Sequence, residues 1–191
     1  MFPLAAAGAL DGPGRDAWQR PDEVVAAIGL RPGDRVADVG CGTGYFTLRF
    51  LDAVGPRGHV LAVDIQQGML DIVAARLPDD ARGCVTLRCS APARPIEAGD
   101  ALDVVFCANT LKEVPDDDAR SFVQSMAAGL VPGGRLVVID WLPRRMALGP
   151  PLDQRVAPDR IRALAAGAGL VEIADVDPLP THAFLVYRRQ D

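Results

Sequence analysis

Between Val36 and Gly44 the chain reads VADVGCGTG, a strand-forming run that breaks into three glycines at alternate positions before a helical pattern resumes. Glycines spaced this way let the backbone turn tightly and let a ligand approach it without meeting a Cβ. The N–H groups at the start of the following helix have no partner inside that helix and face the same place. A strand that ends in such a bend and continues as a helix belongs to an α/β fold with a largely parallel sheet.

The rest of the 191 residues keeps this alternation, with no internal repeat. Helical patterns are predicted over 21–30, 43–53, 67–77 and 158–168, with another that follows Pro115 and buries Ala119, Phe122, Val123, Met126 and Leu130. Strands are predicted over 35–39, 60–63, 85–89, 102–107, 135–139, 170–176 and 183–188. Residues 1–191 read as a single domain, with 1–30 as an N-terminal cap and the long loop 141–157 on the substrate side.

Charge and cysteine usage narrow the function. The net charge is −5, and apart from Lys112 the basic residues are scattered arginines. That argues against nucleic acid as a partner, because phosphate binding needs a concentrated basic surface. No apolar run reaches the roughly 20 residues of a membrane span, and Met1 to Leu10 lacks the basic flank of a signal peptide. A cytoplasmic location is expected. Cys41, Cys84, Cys89 and Cys107 form no CxxC pair and neither His59 nor His182 lies near them in sequence, so no metal site is expected. They read as reduced thiols filling small core spaces.

Spacing decides which ligand the bend serves. A dinucleotide fingerprint needs a glycine at position 45, which is Tyr45, and a phosphate-binding P-loop needs a lysine that is absent. What remains is D-x-G-x-G-x-G from Asp38 to Gly44, with Asp64 ending the next strand. A carboxylate there accepts hydrogen bonds from both hydroxyls of a ribose.

With these motifs the sequence resembles the class I S-adenosylmethionine-dependent methyltransferases from about Trp18 to Arg188, through VADVGCGTGYFT, VLAVDIQQGML, ALDVVFCANTLKEV and LVPGGRLVVIDW in that order. The resemblance implies a Rossmann-like three-layer α/β sandwich on a seven-stranded, mostly parallel sheet whose last strand is antiparallel. It implies S-adenosylmethionine as cofactor and in-line methyl transfer to a small-molecule acceptor. Carried over by position, Asp38, Gly40, Gly42 and Gly44 hold the methionine half, Asp64 the ribose, and Ile65 and Met69 flank the adenine; backbone groups near Asn109 line the methionine side, and Cys41 and Thr110 join the cofactor-binding set. Many relatives place an acid just after the third strand; this chain has Cys89-Ser90-Ala91-Pro92, so Ser90 or a backbone carbonyl near Ala91 is expected to substitute. Trp18 belongs to the segment expected to close over the site. For proton transfer the candidates at the acceptor rim are Glu113, Asp140 and His182, although Lys112 stands where close relatives have histidine. The alternative function is a non-catalytic S-adenosylmethionine-binding sensor or partner subunit.

Overall fold

The computed structural model describes residues 2–175 and 179–190. Seven strands form one sheet in the order β3-β2-β1-β4-β5-β7-β6: β1 (Arg35–Val39), β2 (His59–Asp64), β3 (Val85–Cys89), β4 (Leu102–Ala108), β5 (Leu130–Trp141), β6 (Leu170–Asp175) and β7 (His182–Arg189). The first five pair in parallel, and β7 runs antiparallel between β5 and β6. The expected mostly parallel sheet with a reversed last strand is what the chain builds. Of the predicted sixth strand, Val176 lies outside the described residues.

Alternation along the strands sorts the core into two faces. Val36, Val60, Val104, Phe106, Val137 and Ile139 point to one side. They pack there on α2 (Pro21–Ile28), α3 (Thr47–Val54) and α4 (Gln67–Arg76). Ala37, Val39, Val63, Val105, Val138 and Leu185 point to the other side. There they meet Phe122 and Met126 of α5 (Asp116–Ala128) and Ile161 and Ala165 of α6 (Pro158–Gly167). The result is a helix–sheet–helix sandwich.

Three details depart from the sequence expectations. The helix after the glycine bend starts at Thr47 rather than 43, because Gly44 has φ 86°, a left-handed value incompatible with an α-helix. Leu130 opens β5 instead of closing α5, since β5 absorbs Pro132-Gly133-Gly134 as an irregularity between the pairings Leu102↔Leu130 and Val104↔Arg135. Of the cysteines, Cys41 and Cys107 are buried, but Cys84 is only partly covered and Cys89 is exposed, so the latter two do not fill the core. No helix among the described residues is long and apolar enough to cross a membrane.

The N-terminal cap has structure of its own. A 3-10 segment, Leu4–Asp11, is followed by the short helix α1 (Arg15–Gln19), and both lie across the carboxyl ends of β1, β2 and β4. Gln66 anchors the start by donating to the Phe2 carbonyl at 2.9 Å, and Arg76 pairs with Asp11 at 2.8 Å. Small residues let this strap sit close. A Cβ on Gly68 would stand 2.4 Å from the Leu4 side chain.

Candidate cofactor and acceptor site

The carboxyl ends of the strands open into a cleft of about 500 Å³, the size and position at which open α/β sheets take small ligands. One wall is the glycine bend. Gly40 and Cys41 donate their N–H groups to the Val63 carbonyl at 2.8 and 3.0 Å, which ties the bend to the end of β2. Gly40 has φ 73°, and a Cβ there would fall 2.1 Å from the Thr110 hydroxyl oxygen.

Asp64 faces this bend from the tip of β2. One of its oxygens accepts the Gly42 N–H at 3.0 Å and the other accepts the Gln66 N–H at 2.9 Å. Each oxygen keeps a second lone pair, so a buried carboxylate fixed by two backbone donors still has room for two hydroxyl donors. Two neighbouring hydroxyls, as on a ribose, could donate to such a carboxylate.

Of the sequence-selected positions, Gly40, Cys41, Gly42, Asp64, Ile65, Met69, Ser90, Asn109, Thr110 and Glu113 line the cleft together. Five do not. The Asp38 carboxylate is buried behind the bend, where it accepts the Thr47 hydroxyl at 2.6 Å, and burial raises its pKa to about 6. Gly44 gives room to α4, since a Cβ there would lie 3.2 Å from Val73. Ala91 bridges to Arg94, while Ser90, Pro92 and Pro95 face the cleft.

Asp140 is almost fully buried and accepts from the Trp141 and Lys112 backbones at 2.8 and 3.3 Å; burial raises it to about 6. It staples the turn after β4 to the end of β5. His182 is wedged against Trp141, ring centroids 4.1 Å apart, and stacks on Trp18 at 5.8 Å. Its Nε2 lies 3.1 Å from Asn109 Oδ1. Because the Asn109 amide donates to Gln19 at 3.0 Å, its oxygen faces the ring and Nε2 carries the proton. Nδ1 accepts the Thr181 hydroxyl at 2.9 Å.

Burial, with smaller help from Arg15 and Arg155, lowers His182 to about 3. It is a neutral wedge that fixes Asn109 and the tryptophans. The unfolded chain takes up this proton near pH 6.5 and the folded chain refuses it, so His182 costs stability as pH falls from 6.5 toward 3. Asp38 and Asp140 act in the opposite direction but are shared by wild type and a His182 variant. The stability deficit of His182→Asn, measured by urea denaturation, is therefore expected to shrink by about 2 kcal/mol between pH 7 and pH 5. A deficit that stays constant would remove this role.

Trp18, Trp141, Phe122, Val114, Pro150 and Pro151 add an aromatic and apolar lining to the cleft. Two charged groups stand at its edge, Lys112 and Glu113, which form an ion pair. Burial alone would raise Glu113, but hydrogen bonds and positive charge around it, the Lys112 ammonium first among them, keep it below the usual carboxylate value. The loop 141–157 is held by Arg155, whose guanidinium donates to the carbonyls of Leu142, Arg144, Leu148 and Pro150 at 3.2, 2.7, 3.0 and 2.9 Å. Gly149 presses on the Trp141 ring, where a Cβ would lie 2.6 Å from it.

Sequence reasoning missed Phe2, Leu10, Arg15, Gln66, Phe122 and Gln154, which also line the cleft. Only Phe122 carried a periodic signal, and it pointed to the core.

A sequence model of the methyltransferase domain family matches residues 36–134. The chain is 38% identical over 128 residues to the ubiquinone/menaquinone biosynthesis C-methyltransferase UbiE of Vibrio campbellii, an alignment covering 65% of this chain and 47% of that protein. It thus spans about half the length of the curated relatives it matches. A SAM-dependent methyltransferase structure from Aquifex aeolicus superposes with a TM-score of 0.89 at 23% identity, covering 98% of this chain and 99% of that one. The N-methyltransferase NodS of Bradyrhizobium japonicum, solved with S-adenosyl-L-homocysteine, superposes with a TM-score of 0.70 at 16% identity, covering 95% and 90%. The last two establish the fold, and the family match spans just over half of the chain. The chain belongs to the methyltransferase domain family, in its class I, S-adenosylmethionine-dependent form.

Proposed function

We propose that the chain transfers the methyl group of S-adenosylmethionine to a small molecule with an apolar body, bound between Trp18, Trp141 and Phe122. The observation that carries this reading is the buried Asp64 carboxylate turned onto the glycine bend, with an aromatic compartment opening beyond it. When bound, the cofactor supplies an activated methyl group on a sulfonium. The chain's own residues hold, align and desolvate. Asp64 grips the sugar, while Gly40 and Gly42 leave room for the methionine portion. The Phe2–Gln19 strap and the Arg155-clasped loop exclude water from above.

Glu113 is the carboxylate left to take or orient an acceptor proton, because Asp64 is committed to the cofactor and Asp140 and His182 do not reach the cleft. Lys112 keeps Glu113 ionised, ready to accept. The UbiE relatives are named as C-methyltransferases of quinone biosynthesis, which makes an electron-rich ring carbon the first acceptor to try. Incubation with S-adenosylmethionine and a short-chain naphthohydroquinone is expected to release S-adenosylhomocysteine. Release should also fall at least roughly tenfold in Glu113→Gln if that carboxylate serves as the base. No release with hydroquinone, phenol, amine or thiol probes, from a chain that binds the cofactor, would instead support a sensor or partner subunit.

A further inference from the structure

Arg15, on the short helix of the N-terminal strap, lines the cleft beside Gly40, Cys41 and Gly42. Its guanidinium carbon lies over the Tyr45 ring, 3.7 Å from the centroid, and Nη1 donates to the Leu10 carbonyl. Nε is buried without a hydrogen-bond partner. No carboxylate pairs with the guanidinium among the described residues. Asp11 and Asp38 act on it only at a distance, and Asp16 is taken by Tyr45 and Arg49.

A guanidinium stays charged even when largely buried, and without a counter-ion such a charge is costly. Nε is closed off from the cleft and Nη1 is taken by Leu10, so Nη2 is the nitrogen left to donate to a carboxylate oxygen. With the sugar at Asp64, the opposite end of the cofactor lies over Gly40 and Gly42, in the cleft that Arg15 also lines.

We propose that Arg15 receives the α-carboxylate of the cofactor's methionine portion; the inference rests on the cofactor reading given above. Arg15 sits on the strap rather than on the sheet, so the ligand's charge and the seating of residues 2–19 support each other. The Leu10 carbonyl orients the guanidinium through Nη1, and Leu10 itself lies against Gly42, where a Cβ would be 3.1 Å from it. The Tyr45 ring beneath the guanidinium helps hold it in place. The segment thus serves as a cofactor-recognition element as well as a cover.

The test compares S-adenosylmethionine with decarboxylated S-adenosylmethionine, which differ only in that carboxylate, by calorimetric titration of wild type, Arg15→Gln and Arg15→Lys. Wild type is expected to prefer the intact cofactor by about tenfold to a hundredfold, the usual worth of a charge-assisted pair. Arg15→Gln should bring the two ligands to within about threefold of each other, and Arg15→Lys should restore part of the preference. Equal weakening of both ligands by Arg15→Gln would show that Arg15 only folds the strap, and a wild type indifferent to the carboxylate would likewise overturn the assignment. Binding of neither ligand by wild type is a different failure, since it removes the cofactor reading itself.

Discussion

Asp64→Ala is expected to weaken binding of S-adenosylhomocysteine by at least about a hundredfold, or roughly 3 kcal/mol. The loss has two sources. The ribose hydroxyls lose a charged acceptor. In addition, the N–H groups of Gly42 and Gln66, now held by the two carboxylate oxygens, are left without a partner, and the bend loses its fixed position. Asp64→Asn is not a mild replacement here. Whichever way the amide is turned, its NH₂ group faces a backbone N–H, donor against donor. Calorimetry should therefore place Asn much closer to Ala than to wild type. Thermal denaturation without ligand separates this from unfolding, and an Asn variant with wild-type affinity would contradict the two-donor geometry.

The largest loss of stability is expected from Gly40→Ala. At φ 73° an alanine costs about 1–2 kcal/mol from the left-handed backbone alone. Its Cβ would also stand 2.1, 2.5 and 2.8 Å from the Oγ1, Cγ2 and Cβ atoms of Thr110, an overpacking that adds about 1–3 kcal/mol. Thr110 has little freedom to retreat because its hydroxyl donates to the Ala108 carbonyl at 3.0 Å. A fall in melting temperature of about 5–15 °C follows for a chain of this size. Thr110→Ala, which removes the two nearest atoms, should recover part of that loss in the double variant. Strict additivity of the two changes would mean that the contact does not limit this position.

The parts of the molecule that the sequence made legible are those where backbone geometry leaves few choices. Gly40, Gly42 and Asp64 could be picked out because a tight bend needs glycine and a strand tip beside it needs a reason to carry an acid. The largely parallel sheet followed from the βα alternation. Other residues were legible in place but not in role. His182 and Asp140 stood at the correct rim, yet burial turned the first into a neutral wedge and the second into a backbone staple. Burial of a polar side chain depends on what packs over it, and no periodicity carries that information.

The strap shows the limit most clearly. Leu4–Asp11 reads LAAAGALD, with neither helical nor strand alternation, and its shape comes from contacts with Gln66, Gly68 and Arg76 more than fifty positions away. Arg15 looked like one more scattered arginine, because neither the aromatic ring beneath it nor the bend beside it is its neighbour in sequence.

The most direct measurement of the central claim is a crystal structure of the wild-type chain grown with S-adenosylhomocysteine. The account predicts both ribose hydroxyls on the Asp64 oxygens, with Gly42 and Gln66 still donating to them, and the homocysteine portion lying over Gly40 and Gly42. A nucleoside bound elsewhere, or one in this cleft whose sugar leaves Asp64 untouched, would contradict it.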